Sequence, residues 1–559
     1  MNPGAASHDT HSSPSSQGSQ GSQSSQSSQG SPSSHGGMTA RRGEPTPPIE
    51  FGGPPTLAGT VAQSDTQVGL TPEVLERLRA TGVDVVTDPH SRADAGRDWW
   101  PLAMTWALDG GAPGVAAALV RPHTESQLGA VLAICNELRI PVTPAAGRSG
   151  VCGGSTPVFG GVQLDMTAFA GIRSIDKESG IADVGAGTFG DVLEDELRDD
   201  HGLTMGHWPQ SIALSTVGGW LACRSAGQLS NKYGKIEDMV VSLDVVLADG
   251  TAITTAAAPR AAVGPDLNQV FVGSEGTLGV ITGARVRVHP LPTAHERAAF
   301  TFTSFAAGLE ACRLTSRAGI APAVMRLYDA TEAQRNFAVD SALVIAFDEG
   351  SPRSAAAVLA DASDACLAAG GVARDDADAL VGRWLDHRNN VSQLQTLVQR
   401  DVVVDTIEIS GPWSRLPDIY THATAALRAI DGTVAASAHQ SHAYPDGACL
   451  YFTFAAILPL DGLSREEVRE RKTSYYRAAW DAVTAVVLAN GGALSHHHGV
   501  GLNRSRFVPD ALGASFGVFT AIKNALDPRG ILNPGKLGLA HPFGATQWDP
   551  TGPTSAGAP

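Results

Sequence analysis

The run Pro144-Ala-Ala-Gly-Arg-Ser-Gly-Val-Cys-Gly-Gly154 constrains this chain more than any other stretch. Glycines stand at 147, 150, 153 and 154, directly after the apolar, strand-like Ile140-Pro-Val-Thr143. Glycine admits positive φ and lets the main chain approach another group closely. Successive exposed N–H groups then form an anion nest, suited to a phosphate or pyrophosphate. Arg148 adds a charge that can pair with phosphate oxygens. The spacing is neither G-x-G-x-x-G nor G-x-x-x-x-G-K-S/T, so neither a Rossmann fold nor a P-loop is indicated. Read alone, the loop fits a glycine-rich surface turn equally well.

A β/α rhythm surrounds it. Ala117–Val120 reads as a strand, and Thr124-x-x-Gln127 is a capping box. Leu128, Val131, Leu132, Cys135 and Leu138 follow with helical period. Gly161–Met166 reads as the next strand, and Ile172–Asp176 with Ile181–Val184 as a hairpin around Glu178-Ser-Gly180. Thr188 and Asp191, at capping spacing, open a second helix. Val240–Leu247 and Thr251–Thr254 pair through Asp249-Gly250, and Ala284–Val288 is a further strand before Pro290-Leu-Pro292. Three small loops rich in glycine and hydroxyls within this unit suggest a large ligand with several polar centres, such as a dinucleotide.

The ends differ. From Thr10 to Gly37 the chain is mostly Ser, Gln and Gly, which cannot bury enough apolar surface to order itself. It lacks the charged start and apolar core of a signal peptide, and Met38 is an alternative start. Pro72–Arg79 is a short amphipathic helix with proline at its start, and Asp98-Trp-Trp-Pro101 reads as packing. A net charge of −16 argues against nucleic acid as a partner. No apolar run reaches the ~20 residues of a membrane span; the nearest, Gly447–Leu460, reads as a buried strand. Six scattered cysteines without a C-x-x-C pair point to reduced thiols in a cytoplasmic protein.

Five further pieces, taken in order, make a specific pattern: Ser215-Thr-Val-Gly-Gly-Trp220, Glu275-Gly-Thr-Leu-Gly-Val-Ile281, Arg326-Leu-Tyr-Asp329, Gly447-Ala-Cys-Leu-Tyr451 and Ser495-His-His-His-Gly-Val-Gly501. On these the chain resembles the FAD-linked oxidases of the vanillyl-alcohol oxidase and p-cresol methylhydroxylase type. Within them it is most similar to the alkyl-dihydroxyacetone-phosphate synthases (alkylglycerone-phosphate synthases), from about 117 to 538. The resemblance implies an α+β protein: a two-part FAD-binding domain of the p-cresol methylhydroxylase type with an α+β cap domain. The expected division is a disordered tail over 1–55, a helical lead-in over 56–115 and the FAD-binding domain over 116–292. A substrate or cap domain follows over 293–490, then a segment returning to the flavin site over 491–538 and a loose tail over 539–559.

By that resemblance Pro144, Ala145, Ala146, Gly147, Arg148, Ser149 and Gly150 cradle the FAD pyrophosphate. Gln210, Ser211, Ile212, Ala213, Leu214, Ser215 and Thr216, with Cys223, Arg224, Ser225 and Ala226, line the flavin and its ribityl chain. Glu275, Gly276, Thr277, Leu278, Gly279, Val280 and Ile281 lie near the adenosine half. Some relatives attach FAD through a histidine shortly after the loop arginine; here Cys152 stands there, so non-covalent FAD is expected. Asn533 and Lys536, in Asp527–Lys536, either reach the flavin or build a turn.

In the cap, one helix is expected from about Ser474 with Tyr476, Trp480, Val483 and Val487 on one face, and Ser464-x-x-Glu467 caps the helix before it. Tyr451 shares a strand face with Cys449 and Thr453, opposite Leu450, Phe452 and Phe454. The resemblance makes Tyr451 the acid/base and Arg326 a flavin or substrate contact. A phenol needs a nearby cation to work at neutral pH, and His496, His497 and His498 are the expected source. A metal through His496 and His498 lacks a Cys or acidic partner at ligand spacing, so none is expected.

The reaction implied is exchange of the acyl group of acyl-dihydroxyacetone phosphate for a fatty alcohol through a flavin N5 adduct, a step of ether lipid synthesis. The alternatives are an FAD-dependent oxidase or dehydrogenase of a 2-hydroxy acid or alcohol, and a non-catalytic flavin-binding protein. The partner is a small-molecule or lipid substrate; a homodimer and peripheral membrane contact stay open. One departure bears on phosphate recognition. The family places a substrate-binding arginine in the helix before Glu408-Ile-Ser-Gly-Pro-Trp413, whereas Val391-Ser-Gln-Leu-Gln-Thr-Leu397 has none and Arg400 lies out of register.

Overall fold

Helices and strands interleave from the lead-in onward, and three sheets carry the architecture. The computed structural model describes residues 43–549 apart from 48 and 257; the Ser/Gln/Gly-rich run, Met38 and residues 550–559 lie outside the described residues. The first sheet has the spatial order Asp84–Val86, Ala118–Arg121, Val162–Asp165, Val142–Ala145, its last three strands parallel. The crossover is the helix Glu125–Leu138. Thr124 Oγ1 accepts from Gln127 N, and the Gln127 side chain accepts from His123 N at 2.8 Å. Leu128, Val131, Leu132 and Cys135 on its inner face are fully buried. Asp84–Val86 corrects the helical lead-in: it pairs antiparallel with Ala118–Arg121, because an open edge beside a parallel sheet leaves N–H and C=O groups unpaired.

The second sheet is antiparallel: Ile172–Asp176, Ile181–Gly185, Val280–Arg287, Val240–Val246, Ala252–Thr254. Both expected hairpins are present. The capping expected at Thr188 is not: the helix Gly190–His201 begins at Phe189 without a side-chain cap. Thr188 Oγ1 instead donates to Gly185 O at 2.7 Å and accepts from Gly171 N at 2.8 Å, closing the turn that precedes the helix.

The third sheet has seven strands in the order Val372–Ala373, Ala294–Phe302, Ala342–Gly350, Val324–Tyr328, Thr433–Ala443, Gly447–Ala456, Val403–Pro412, with antiparallel pairing throughout. In Gly447–Ala456, Leu450, Phe452 and Phe454 are fully buried while Tyr451 and Thr453 are half-buried, as alternation requires. The two helices expected around 464–490 are one, Arg465–Ala489. Nothing between the Ser464/Glu467 capping box and Ser474 breaks it, and Tyr475, Tyr476, Ala479, Trp480, Val483 and Val487 bury one continuous face.

Aromatic residues tie the ends down. Trp100 is buried edge-on to Trp106 and Trp548, and its Nε1 donates to Tyr476 Oη at 3.0 Å. Trp548 Nε1 donates to Gln63 Oε1 at 2.8 Å. Ile49 and Phe51 are buried as well. Order therefore extends further at both ends than a tail over 1–55 and a loose segment after 539, since each stretch carries apolar anchors that a compositional reading undervalues. The C-terminal segment returns to the first sheet: Val142 N donates to Ile531 O and Asn533 N to Val142 O, both at 2.8 Å. No helix among the described residues is long and apolar enough to cross a membrane.

Candidate active site

Three loops meet at the glycine-rich bend. Arg148 has a φ of 53° and Gly153 of 76°, so the chain doubles back twice. The main-chain N–H groups from Gly147 to Gly154 have no acceptor among the described residues. Such a row of donors is costly unless another group accepts from it. A Cβ on Gly147 would stand 2.1 Å from Leu214 O, which seats the bend on the 210–216 loop. A Cβ on Gly150 would meet nothing within 4 Å, so open space lies beside the donors. Gly276 packs on Pro144. Asn533 Nδ2 donates to Gly154 O at 3.0 Å and Glu275 O at 2.7 Å, and buried Lys536 Nζ donates to Thr156 O at 2.9 Å. Both residues thus build the turn.

The histidine run arrives on the same bend. Leu502 N and Asn503 N donate to Cys152 O at 2.8 and 3.1 Å, and Gly501 N donates to Glu275 Oε2 at 2.8 Å. One buried carboxylate, Glu408, holds the residues just before. It accepts from Ser495 Oγ at 2.6 Å, from His496 N, from His497 N at 3.3 Å and from His498 N at 3.0 Å, and Arg504 pairs with it at 3.1 Å. Glu408, Tyr451 and His439 stand abreast on three neighbouring strands. The Tyr451 hydroxyl meets His498 Nε2 and, at 3.4 Å, His497 Nε2. On its other side the His439 ring stacks on Tyr451 with centroids 4.9 Å apart and planes 11° from parallel. His439 Nδ1 lies 2.7 Å from Oε2 of buried Glu332, which also accepts from Thr453 Oγ1 at 2.8 Å. His496 turns away to Tyr444 Oη at 3.0 Å.

The charges differ from the expectation. Burial pushes the imidazoles down, His496 to about 3 and His498 to about 4, with His497 well below the usual range. At neutral pH they are uncharged, so they supply no cation to Tyr451. Burial lifts the Tyr451 phenol well above its ordinary value, with the Glu408 carboxylate adding to the rise. The cations that pull the other way are Arg326 and Arg504. Burial is the largest single influence on Glu408 and pushes it up, but Arg504, the neighbouring His497 and His498 and the Ser495 hydrogen bond together outweigh it and hold the carboxyl well below the usual range.

The sequence singled out Tyr451, His496, His497, His498 and Arg326, and all lie on or beside this face. It missed Glu408 as the anchor and the Glu332–His439 pair; strand alternation marks their faces, but only cross-strand register brings them to Tyr451. Register also supplies what the metal reading lacked. His442, His496 and His497, or Glu408, Cys449 and His497, bring ligand atoms within 4.8 Å of one another. Several loop residues are committed elsewhere. The Arg148 guanidinium, expected to meet phosphate, pairs with Asp94 at 3.0 Å because its left-handed backbone turns it toward the lead-in. Arg224 goes to Gln269 at 2.9 Å and Glu237 at 3.7 Å, and Gln210 Nε2 to Asn390 O at 2.9 Å. Ser215 Oγ serves Trp220 Nε1 at 2.7 Å, Ser225 Oγ meets His207 Nε2 at 2.8 Å, and Thr216 caps the helix Val217–Cys223. Leu278 and Ile281 belong to one core cluster and Val280 to another.

Comparison with known proteins agrees with this architecture. Residues 116–256 match the FAD binding domain and residues 291–537 the C-terminal domain of FAD linked oxidases. The uncharacterized FAD-linked oxidoreductase YgcU of Escherichia coli (strain K12) is 31% identical over 437 residues, 76% of this chain and 89% of that protein. The chain belongs to the FAD-linked oxidase family. FAD is accordingly its cofactor, and unpaired N–H donors beside open space at the bend fit a diphosphate. Among other family members, the alkyldihydroxyacetonephosphate synthase of Dictyostelium discoideum is 29% identical over 454 residues, 75% of this chain and 72% of that one. Glycolate oxidase subunit GlcD of Bacillus subtilis (strain 168) is 28% identical over 445 residues, 75% and 88%. A solved alkyldihydroxyacetonephosphate synthase superposes with a TM-score of 0.68 at 24% identity, covering 85% of this chain and 86% of that one. p-Cresol methylhydroxylase gives 0.67 at 17% identity, covering 85% and 98%. These superpositions show the fold.

Proposed function

We propose that this family member is an enzyme of the alkyl-dihydroxyacetone-phosphate synthase type, releasing the fatty acid of acyl-dihydroxyacetone phosphate and joining a fatty alcohol in its place. The observation that carries the reading is the Tyr451 hydroxyl, buried against His498 and His497. FAD held at the bend supplies an electrophilic ring to the reacting carbon. Tyr451 moves the proton on and off that carbon; His498 receives the phenolic proton and returns it. Arg326 favours the phenolate that forms in between. Glu408 keeps the imidazoles in place through their main-chain N–H groups. The same reading holds FAD without a covalent bond, since burial pushes the Cys152 thiol far above the thiolate range. The test supplies FAD-loaded protein with acyl-dihydroxyacetone phosphate and a labelled fatty alcohol. Label in an ether product with equimolar fatty acid release is expected; no ether product over many enzyme equivalents overturns it.

A second reading, oxidation of a 2-hydroxy acid, is favoured by one specific feature. Glu332 orients His439 through Nδ1, leaving Nε2 to take a hydroxyl proton beside Tyr451 as hydride leaves the adjacent carbon. Anaerobic bleaching of the bound flavin by D-lactate or glycolate, with no ether formed, would select it.

A further inference from the structure

A second cavity, of about 470 Å³, opens at one end of the second sheet. Val240, Val241 and Arg287 line it, and Val240 pairs with Val286 where their strands meet. The loop Glu275–Ile281 lies at the other end of the same strand. Val280 and Arg287 are seven residues apart along it, roughly 20 Å. The cavity is therefore separate from the glycine bend, and its volume is that of a small-molecule site.

Six charged side chains line this cavity, and they are unequally provided for. Lys232 pairs with buried Asp348 at 3.0 Å, and Glu237 with Lys235 at 3.2 Å. Asp238 Oδ2 accepts from Lys235 N and Asp266 Oδ1 from Asn268 N, both at 2.9 Å. The two arginines differ. The Arg287 guanidinium meets a main-chain acceptor, Asp238 O, and no carboxylate among the described residues. Exposed Arg260 is likewise committed to no carboxylate there. Its φ is 57°, a left-handed backbone that a residue with a side chain adopts at a cost. Each carboxylate is thus turned onto an N–H or a cation, and two guanidinium forks are left over. Such a fork takes two oxygens of one anion.

One segment joins the cavity to the candidate active site. Lys232, Tyr233, Glu237 and Asp238 line the cavity, whereas Ser230, Asn231 and Lys235 reach the histidine cluster. Ser230 Oγ lies 2.7 Å from His442 Nδ1, and Asn231 Oδ1 accepts from Ala443 N at 3.0 Å. Buried Lys235 Nζ donates to His496 O at 2.7 Å. We propose that the cavity is an effector site for a small anion bearing phosphate or carboxylate, held by Arg260 and Arg287 and coupled to the histidine run through Lys235. The site is independent of which reaction the flavin supports.

The test titrates FAD-loaded protein calorimetrically with inorganic phosphate and with citrate at constant ionic strength. At least one should bind, and the tighter of the two distinguishes phosphate from carboxylate recognition. R260Q and R287Q should each weaken binding on the order of tenfold to a hundredfold, with FAD content unchanged. Failure of both anions to bind the wild type, or undiminished binding by both variants, overturns the site. Should R287Q not fold, R260Q decides, since its exposed side chain supports no packing. The coupling is read by hydrogen exchange of the wild type with and without the anion. Exchange should slow over 230–239 and over 495–501; an unchanged rate over 495–501 overturns the coupling. K235M should bind the anion and lose the protection over 495–501, and protection that survives there overturns the route through Lys235.

Discussion

The glycine bend and the Tyr451 cluster are linked through the segment after the histidine run, whose Leu502 N and Asn503 N donate to Cys152 O, and are built by opposite means. The bend offers main-chain N–H groups, and its one charged side chain, Arg148, is spent on Asp94. The cluster offers side chains, and its backbone is fixed by another side chain, Glu408. Function at the bend therefore depends on shape: any residue that keeps the path and leaves the open space clear should serve. Function at the cluster depends on identity, because a phenol or imidazole has no substitute with the same proton chemistry.

The largest expected effect is at Tyr451. Y451F should lower turnover by about 10²–10⁴-fold while FAD content and melting temperature stay at wild-type values; a parallel loss of FAD would break the division between the two regions. Next comes Glu408. E408Q leaves Arg504 buried without an anion, so denaturant unfolding should show a loss of about 3–5 kcal/mol, together with loss of activity. Unchanged stability would mean that the histidine run is held some other way.

Two glycines sharpen the other side. G147A drives a methyl into Leu214 O and should cost about 1–3 kcal/mol and release FAD. G150A meets no protein atom, so the apoprotein should melt as before while FAD binds more weakly. Equal FAD affinity in G150A would move the diphosphate off this bend.

The smallest effect is in pH dependence. His498 titrates near 4 folded and near 6.5 unfolded. Between those values the unfolded chain binds more protons, so the contribution is full above about 6.5 and is lost as pH falls toward 4. H498Q should flatten that acid limb. Asp405 runs the other way: burial raises it to about 7. Stability then declines as pH rises from about 4 to 7, and D405N should remove that decline. An unchanged limb in either variant would show that the group titrates as it does in water.

How much could be read in advance varies with range along the chain. The Thr124/Gln127 cap, the hairpin at Asp249-Gly250 and the alternation around Tyr451 were legible, since each is a relation among residues a few positions apart. The Thr188 cap failed because Gly171, seventeen residues back, competes for the same hydroxyl. The break near Ser474 failed because burial of one continuous face outweighs weak local signals. At the site, the residue types were legible but not their charge states. His496, His497 and His498 look like a source of positive charge in sequence and are neutral once buried.

By itself the sequence determined the glycine bend, the strand carrying Tyr451 and the presence of three consecutive imidazoles, all consequences of local backbone preference and periodicity. Only the tertiary structure decided that Glu408 anchors those imidazoles, that His439 stacks on Tyr451, and that the Arg148 guanidinium pairs with Asp94. Pairing and desolvation depend on which distant segments meet, and the energy of a charge depends on what surrounds it rather than on what precedes it in the chain.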